Sequence, residues 1–107
     1  EYGGRPDGMG AFELKDGSVA LVVNHETKNK DKHLELSTAY NDSNGRPFSG
    51  GTSTIVLESD GLTLKRANRS LSGTIDNCAG GTTPWNTWIS CEETYRENHG
   101  YAFEVDP

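Results

Sequence analysis

The sequence predicts an all-β chain of antiparallel strands, on three observations. The pairs Asp16-Gly17 and Asp60-Gly61 each stand between two apolar stretches. Segments 19–23 and 54–57 are almost continuously apolar or β-branched, and segments 71–75 and 85–91 are rich in Thr, Ile and Trp, with 101–105 a last strand-like stretch.

In chain order, Asp16-Gly17 predicts a hairpin joining 11–14 to 18–24, because glycine takes the positive φ that other residues resist in tight turns. Asp60-Gly61 predicts a second, joining 52–58 to 62–66. The lack of alternation in 19–23 and 54–57 suggests strands covered on both faces, as in stacked sheets. Between them, 28–46 is polar and charged and reads as a long surface excursion, with at most a short helical turn at 34–36. The run Asn77-Cys78-Ala79-Gly80-Gly81 is too glycine-rich for a strand interior and is expected to be a loop. Gly50-Gly51-Thr52-Ser53-Thr54 and Gly80-Gly81-Thr82-Thr83 echo one another weakly. Tight antiparallel turns with doubly covered strands fit a sandwich, or better the blades of a β-propeller.

Composition narrows the function classes. The chain has 107 residues, one domain's worth, and only 19 of them are Leu, Ile, Val or Phe, so a thin core is expected. Sixteen acidic against ten basic residues give a net charge of −6. That disfavours nucleic-acid binding through a basic patch and favours cations as partners. The longest apolar run, 19–23, is far too short for a membrane helix. The chain starts at Glu1 with no apolar leader, so any export signal is expected to lie outside it, and the strand-like 101–107 suggests a fragment of a longer protein.

Three places carry candidate chemistry. In Asn24-His25-Glu26, at the end of a buried-looking strand, Asn24 and Glu26 point to one face, where an amide oxygen and a carboxylate suit calcium, while His25 faces the other way. The alternative is a polar strand end with Asn24 capping the turn and Glu26 solvated. Cys78 stands in the glycine-rich run, where a thiolate would prefer iron, copper or zinc. Glu92 and Glu93 follow Cys91; adjacent carboxylates make either a metal shelf, in which one of the two leads, or an exposed acidic pair. Cys78 and Cys91 could instead form a structural disulfide. No near-neighbour cysteine pair is present, which disfavours structural zinc. The triplets Asn41-Asp42-Ser43 and Asn68-Arg69-Ser70 match the glycosylation pattern but are common by chance.

Taken in order, Pro6-Asp7-Gly8-Met9-Gly10-Ala11-Phe12, Asn24-His25-Glu26, Gly50-Gly51-Thr52, Ser72-Gly73-Thr74, Asn77-Cys78-Ala79-Gly80-Gly81, Thr83-Pro84-Trp85, Trp88 and Cys91-Glu92-Glu93 resemble the N-terminal portion of the PhoX-type alkaline phosphatase family, long carried as a bacterial domain of unknown function. The resemblance implies that residues 1–107 are the first one or two blades of a six-bladed β-propeller. It also implies an iron and calcium cluster, export to the periplasm or beyond, a monomeric full-length protein and hydrolysis of phosphomonoesters. Carried over by motif, Cys78 would be the thiolate on iron, and Asn24, Glu26, Glu92 and Glu93 would supply oxygen ligands to iron or calcium. The cluster would bind the phosphate oxygens and hold the attacking oxygen. Asn86 stands where the family commonly has glycine; asparagine is the next most tolerant residue at positive φ, so the turn is expected to survive. The remaining ligands and phosphate-gripping cations would come from other sequence, so this chain alone is expected to be inactive. The other readings are a non-catalytic metal- or partner-binding propeller of the same family, and a secreted β-domain bridged between Cys78 and Cys91.

Overall fold

The computed structural model describes residues 4–27, 45 and 48–107. They form seven strands: β1 (Pro6–Glu13), β2 (Val19–His25), β3 (Gly50–Leu57), β4 (Leu64–Thr74), β5 (Asn77–Thr82), β6 (Trp88–Glu92) and β7 (Ala102–Val105), with one 3-10 turn at Arg96–Asn98. Strands β1 to β4 make an antiparallel sheet in sequence order, and β5 to β7 a second one. The expectation of an all-β chain with antiparallel pairing holds.

Both predicted hairpins form, and for the predicted reason. In the first, Leu14 N–H donates to Ser18 O at 2.8 Å, Gly17 N–H to Leu14 O at 2.9 Å, and Gly17 takes φ 82°. The second repeats the device: Gly61, at φ 67°, donates its N–H to Glu58 O, and Asp60 Oδ1 accepts from the Leu62 and Thr63 N–H groups. A third turn of the same make joins β5 to β6, where Thr83 N–H donates to Thr87 O and Asn86 N–H to Thr83 O. Asn86 holds φ 73° there, so the glycine-like turn survives with asparagine in it. Lys65 bridges the first two turns through Asp16 at 3.0 Å and Glu58 at 3.6 Å.

Three expectations need correcting. Segment 71–75 is no separate strand, because β4 runs unbroken from Leu64 to Thr74 opposite β3. The strand expected over 85–91 begins only at Trp88, since 85–87 belong to the turn. The glycine-rich run at 77–81 is not a loop: it is strand β5. A Cβ on Gly80 would stand 1.8 Å from Ile89 O and 2.8 Å from the Trp88 ring, so glycine is there to let β6 and the indole approach, and the strand is glycine-rich because it is crowded. The excursion at 28–46, its helical turn and the triplet at Asn41 lie outside the described residues, Gly45 excepted; Asn68 lies exposed on β4.

The core lies between the two sheets. Phe12, Ala20, Val22 and Val56 from the first meet Trp88 and Val105 from the second, with Leu14 and Leu71 packed at the margin. Strand β2 is fully buried on that face and half-buried on the other. As the composition foretold, the core is thin, and among the described residues buried polar side chains outnumber buried apolar ones. Such a core holds only if those polar groups are paired.

Candidate functional site

Asn24, near the end of β2, is completely buried between the sheets. Its Nδ2 donates to the carbonyls of Cys78 and Ala79, both at 3.0 Å, and its Oδ1 accepts from Trp88 Nε1 at 2.9 Å and Ser90 Oγ at 2.8 Å. Both amide hydrogens and both oxygen lone pairs are thus engaged within the protein. The chain of bonds continues from Ser90 Oγ to Asn77 Nδ2 at 3.0 Å and from Asn77 Oδ1 to the Thr74 hydroxyl at 2.5 Å. This buried polar network grips the backbone of β5 under Cys78 from β2, β4 and β6 at once.

His25 points away from Asn24, as alternation along a strand requires. It is buried; Nδ1–H donates to Gly4 O at 3.2 Å, and Nε2 meets Ser53 Oγ at 2.8 Å. Burial, with the nearby Arg69 charge, lowers its pKa, so the imidazole is neutral. Glu26 lies just past β2, half-buried, its backbone N–H on Arg5 O at 2.9 Å.

The adjacent Glu92, the last residue of β6, and Glu93, just past it, divide. Glu92 turns inward, its side chain wholly buried, and Glu93 is exposed. Glu92 Oε1 accepts from Ile75 N–H at 3.0 Å and His99 Nδ1–H at 2.8 Å; Oε2 accepts from the N–H groups of Gly100 at 2.8 Å and Tyr101 at 3.0 Å. Burial by itself raises this carboxyl, but the four donors outweigh it, and the pKa lies below the ordinary value. His99 in turn stands edge-on between Phe48 and Tyr101. Glu92 therefore pins the segment that carries Glu93 to Arg96.

Cys78, on β5, is half-buried. Burial raises its thiol to a pKa of about 11, helped by hydrogen bonds and charge from Asp7 on β1 and Glu93. Glu93 also lines a pocket of about 170 Å³ with Asp76, Thr94, Tyr95 and Arg96. Cys91 is likewise a free thiol, so no disulfide joins the two cysteines here.

Of the residues singled out from the sequence, Cys78 and Glu93 come together, Asn24 supports the strand beneath them, and Glu92 is withdrawn to the other side of its strand. Asp7 was missed as a neighbour of Cys78. Its only signal lay in the motif Pro6-Asp7-Gly8, which offers no chemistry until β1 is laid beside β5. Among the described residues, no three His, Cys, Asp or Glu side chains are gathered closely enough to hold an ion by themselves.

Two antiparallel sheets locked by a buried polar network define an all-β chain that presents a half-buried thiol beside two carboxylates. Residues 59–107 match the family model described as alkaline phosphatase PhoX. The matched stretch carries the motifs at Asn77–Thr82 and 83–93, two of those on which the resemblance rests. No curated protein and no solved structure gives a significant match. No helix among the described residues is long and apolar enough to cross a membrane.

Proposed function

We propose that the chain, as residues 1–107 of a single domain, supplies the first one or two blades of a six-bladed β-propeller phosphomonoesterase of the PhoX type. In that reading the whole protein is exported, monomeric and dependent on iron and calcium, and this chain alone is inactive. The observation that carries it is the setting of Cys78: within the matched family stretch, a half-buried thiol lies against Asp7 and Glu93, and Glu93 borders a polar pocket.

The donor set fits iron in kind, since a soft thiolate with hard carboxylates is a combination that iron accepts. The two carboxylates that now oppose ionisation of Cys78 would be neutralised by a cation placed among them. Cys78, with Asp7 and Glu93 beside it, is therefore the proposed contribution of this chain to an iron site that needs further ligands to hold the ion, with Glu26 an oxygen donor toward calcium. Asn24 and Glu92, though expected as ligands, fit less well, because every acceptor position on their oxygens is occupied by a donor of the protein. Their part is positioning: Asn24 fixes the backbone beneath Cys78, and Glu92 fixes the segment bearing Glu93.

Iron and calcium, when bound, neutralise the charge of phosphoryl oxygens and supply Lewis acidity. The test is Cys78→Ala in the full-length protein, with iron and calcium measured by elemental analysis and phosphomonoester hydrolysis assayed at alkaline pH. Iron and turnover are expected to disappear together. A fully active, iron-loaded variant would overturn the assignment, and a wild-type protein with metal but no turnover would make it a non-catalytic member of the family.

A further inference from the structure

Cys91 has no part in the site just described, yet the register of the second sheet brings it to Cys78. Asn77 stands opposite Glu92 and Gly80 opposite Ser90, with a register shift between. Two residues, Cys78 and Ala79, therefore face the single residue Cys91 across a bulge. Facing residues on neighbouring antiparallel strands have Cα atoms roughly 4.5–5.5 Å apart. A disulfide needs about 4.4–6.8 Å. Direction agrees with distance. On β6, Trp88, Ser90 and Glu92 are buried toward the other sheet, so Cys91 points to the opposite side. On β5, Asn77 reaches inward to Ser90, so alternation turns Cys78, which lies beside Asp7 and Glu93, to the other face, the one that Cys91 shares. Both thiols are half-buried and free, and Ala79 adds only an exposed methyl between the strands.

We propose that Cys78 and Cys91 are a redox pair that closes to a disulfide across the β5–β6 bulge. The oxidant is a small or protein disulfide such as glutathione disulfide. One of the two cysteines, as thiolate, attacks one sulfur of that disulfide and the first thiol leaves. The other cysteine then gives its proton to solvent, attacks the protein sulfur of the mixed disulfide and displaces the second thiol. The two cysteines lose two electrons and two protons in all, and one incoming disulfide becomes two thiols. One consequence rests on the metal reading above: closing the bridge removes the thiolate proposed for iron, so a loaded site and a closed bridge exclude one another.

The experiment places the metal-free chain in glutathione redox buffers and reads intact mass, alkylatable thiols and bridged peptides. The chain has two cysteines, so a bridge is unambiguous. Free thiols are expected to fall from two to none in a monomer lighter by two hydrogens, with peptides around 78 and 91 joined, and to return with reductant. The effective thiol concentration of the folded chain is expected to exceed that of the urea-unfolded chain by ~10-fold or more. Cys91→Ser should give a single glutathione adduct in place of the bridge. Two glutathione adducts per wild-type chain, disulfide-linked dimers, or no gain over the unfolded chain would overturn the pair. In the iron-loaded full-length protein, Cys78 is expected to resist oxidation. Equal oxidation with and without iron, while the metal-free bridge forms normally, would overturn only its role as a ligand.

Discussion

Trp88 Nε1 donates to Asn24 Oδ1 at 2.9 Å across the interface of the two sheets, so one indole both fills the core and closes its central polar network. Asn24→Ala would strand the indole N–H, the Ser90 hydroxyl and two carbonyls of β5. Each buried polar group left unmade costs about 1–3 kcal/mol, so a loss of roughly 3 kcal/mol or more is expected in urea unfolding. Asn24→Asp should be no better, because a carboxylate would face the Cys78 and Ala79 carbonyls.

Adjacent glycines of β5 should respond in opposite ways. A Cβ at Gly80 meets Ile89 O at 1.8 Å, whereas a Cβ at Gly81 meets nothing within 4 Å. Gly80→Ala is expected to cost about 2–3 kcal/mol by overpacking the strand pair. Gly81→Ala is expected to stay within about 0.5 kcal/mol of wild type. Thermal melts of the two variants side by side check this.

Glu92 predicts an acid-labile loop. Its folded pKa lies below the ordinary carboxylate value of 4.5, so its contribution to stability is complete above that pH and is lost as pH falls through the folded value. The urea midpoint of wild type is expected to drop between about pH 5 and pH 3 more steeply than that of Glu92→Gln, which starts lower and stays flatter.

How much of this was legible in the sequence varies from residue to residue. The Asp-Gly turns could be read directly, because their cause, a positive φ, is local to the pair. Strand β5 could not, because what makes Gly80 necessary is Ile89 and Trp88 on the next strand, and until that strand is in place the same glycines signal a loop. The candidate site divides likewise. Cys78 and Glu93 could be singled out from residue type as candidate ligands. The buried hydrogen bonding of Asn24 and Glu92 could not, since Asn24 takes its donors from residues 64 and 66 positions away and Glu92 takes three of its four from backbone N–H groups that have no signature in the sequence.

Asn86 tests a hairpin turn that has no glycine. It holds φ 73°, where a β-branched side chain is strained. Asn86→Gly should leave stability within about 0.5 kcal/mol, since glycine takes this φ without steric cost. Asn86→Val should cost about 1–2 kcal/mol.

The raised thiol of Cys78 predicts an alkylation profile. In metal-free protein it should react slowly with iodoacetamide at neutral pH and speed up as pH approaches its pKa of about 11. Glu93→Gln removes one of the opposing anions, lowers that pKa and should raise the rate at pH 8 by roughly three-fold or more. Peptide mapping of the labelled chain distinguishes Cys78 from Cys91.

The two tryptophans of the chain occupy opposite environments three positions apart. Trp88 is 5% exposed in the core, and Trp85 is 66% exposed, its Nε1 donating to Glu104. The fluorescence of the molecule is therefore the sum of a dry indole and a wet one. Parting of the two sheets, even with every strand pair intact, would shift the emission of Trp88 alone, so the protein carries a built-in optical gauge of whether its sheets are closed.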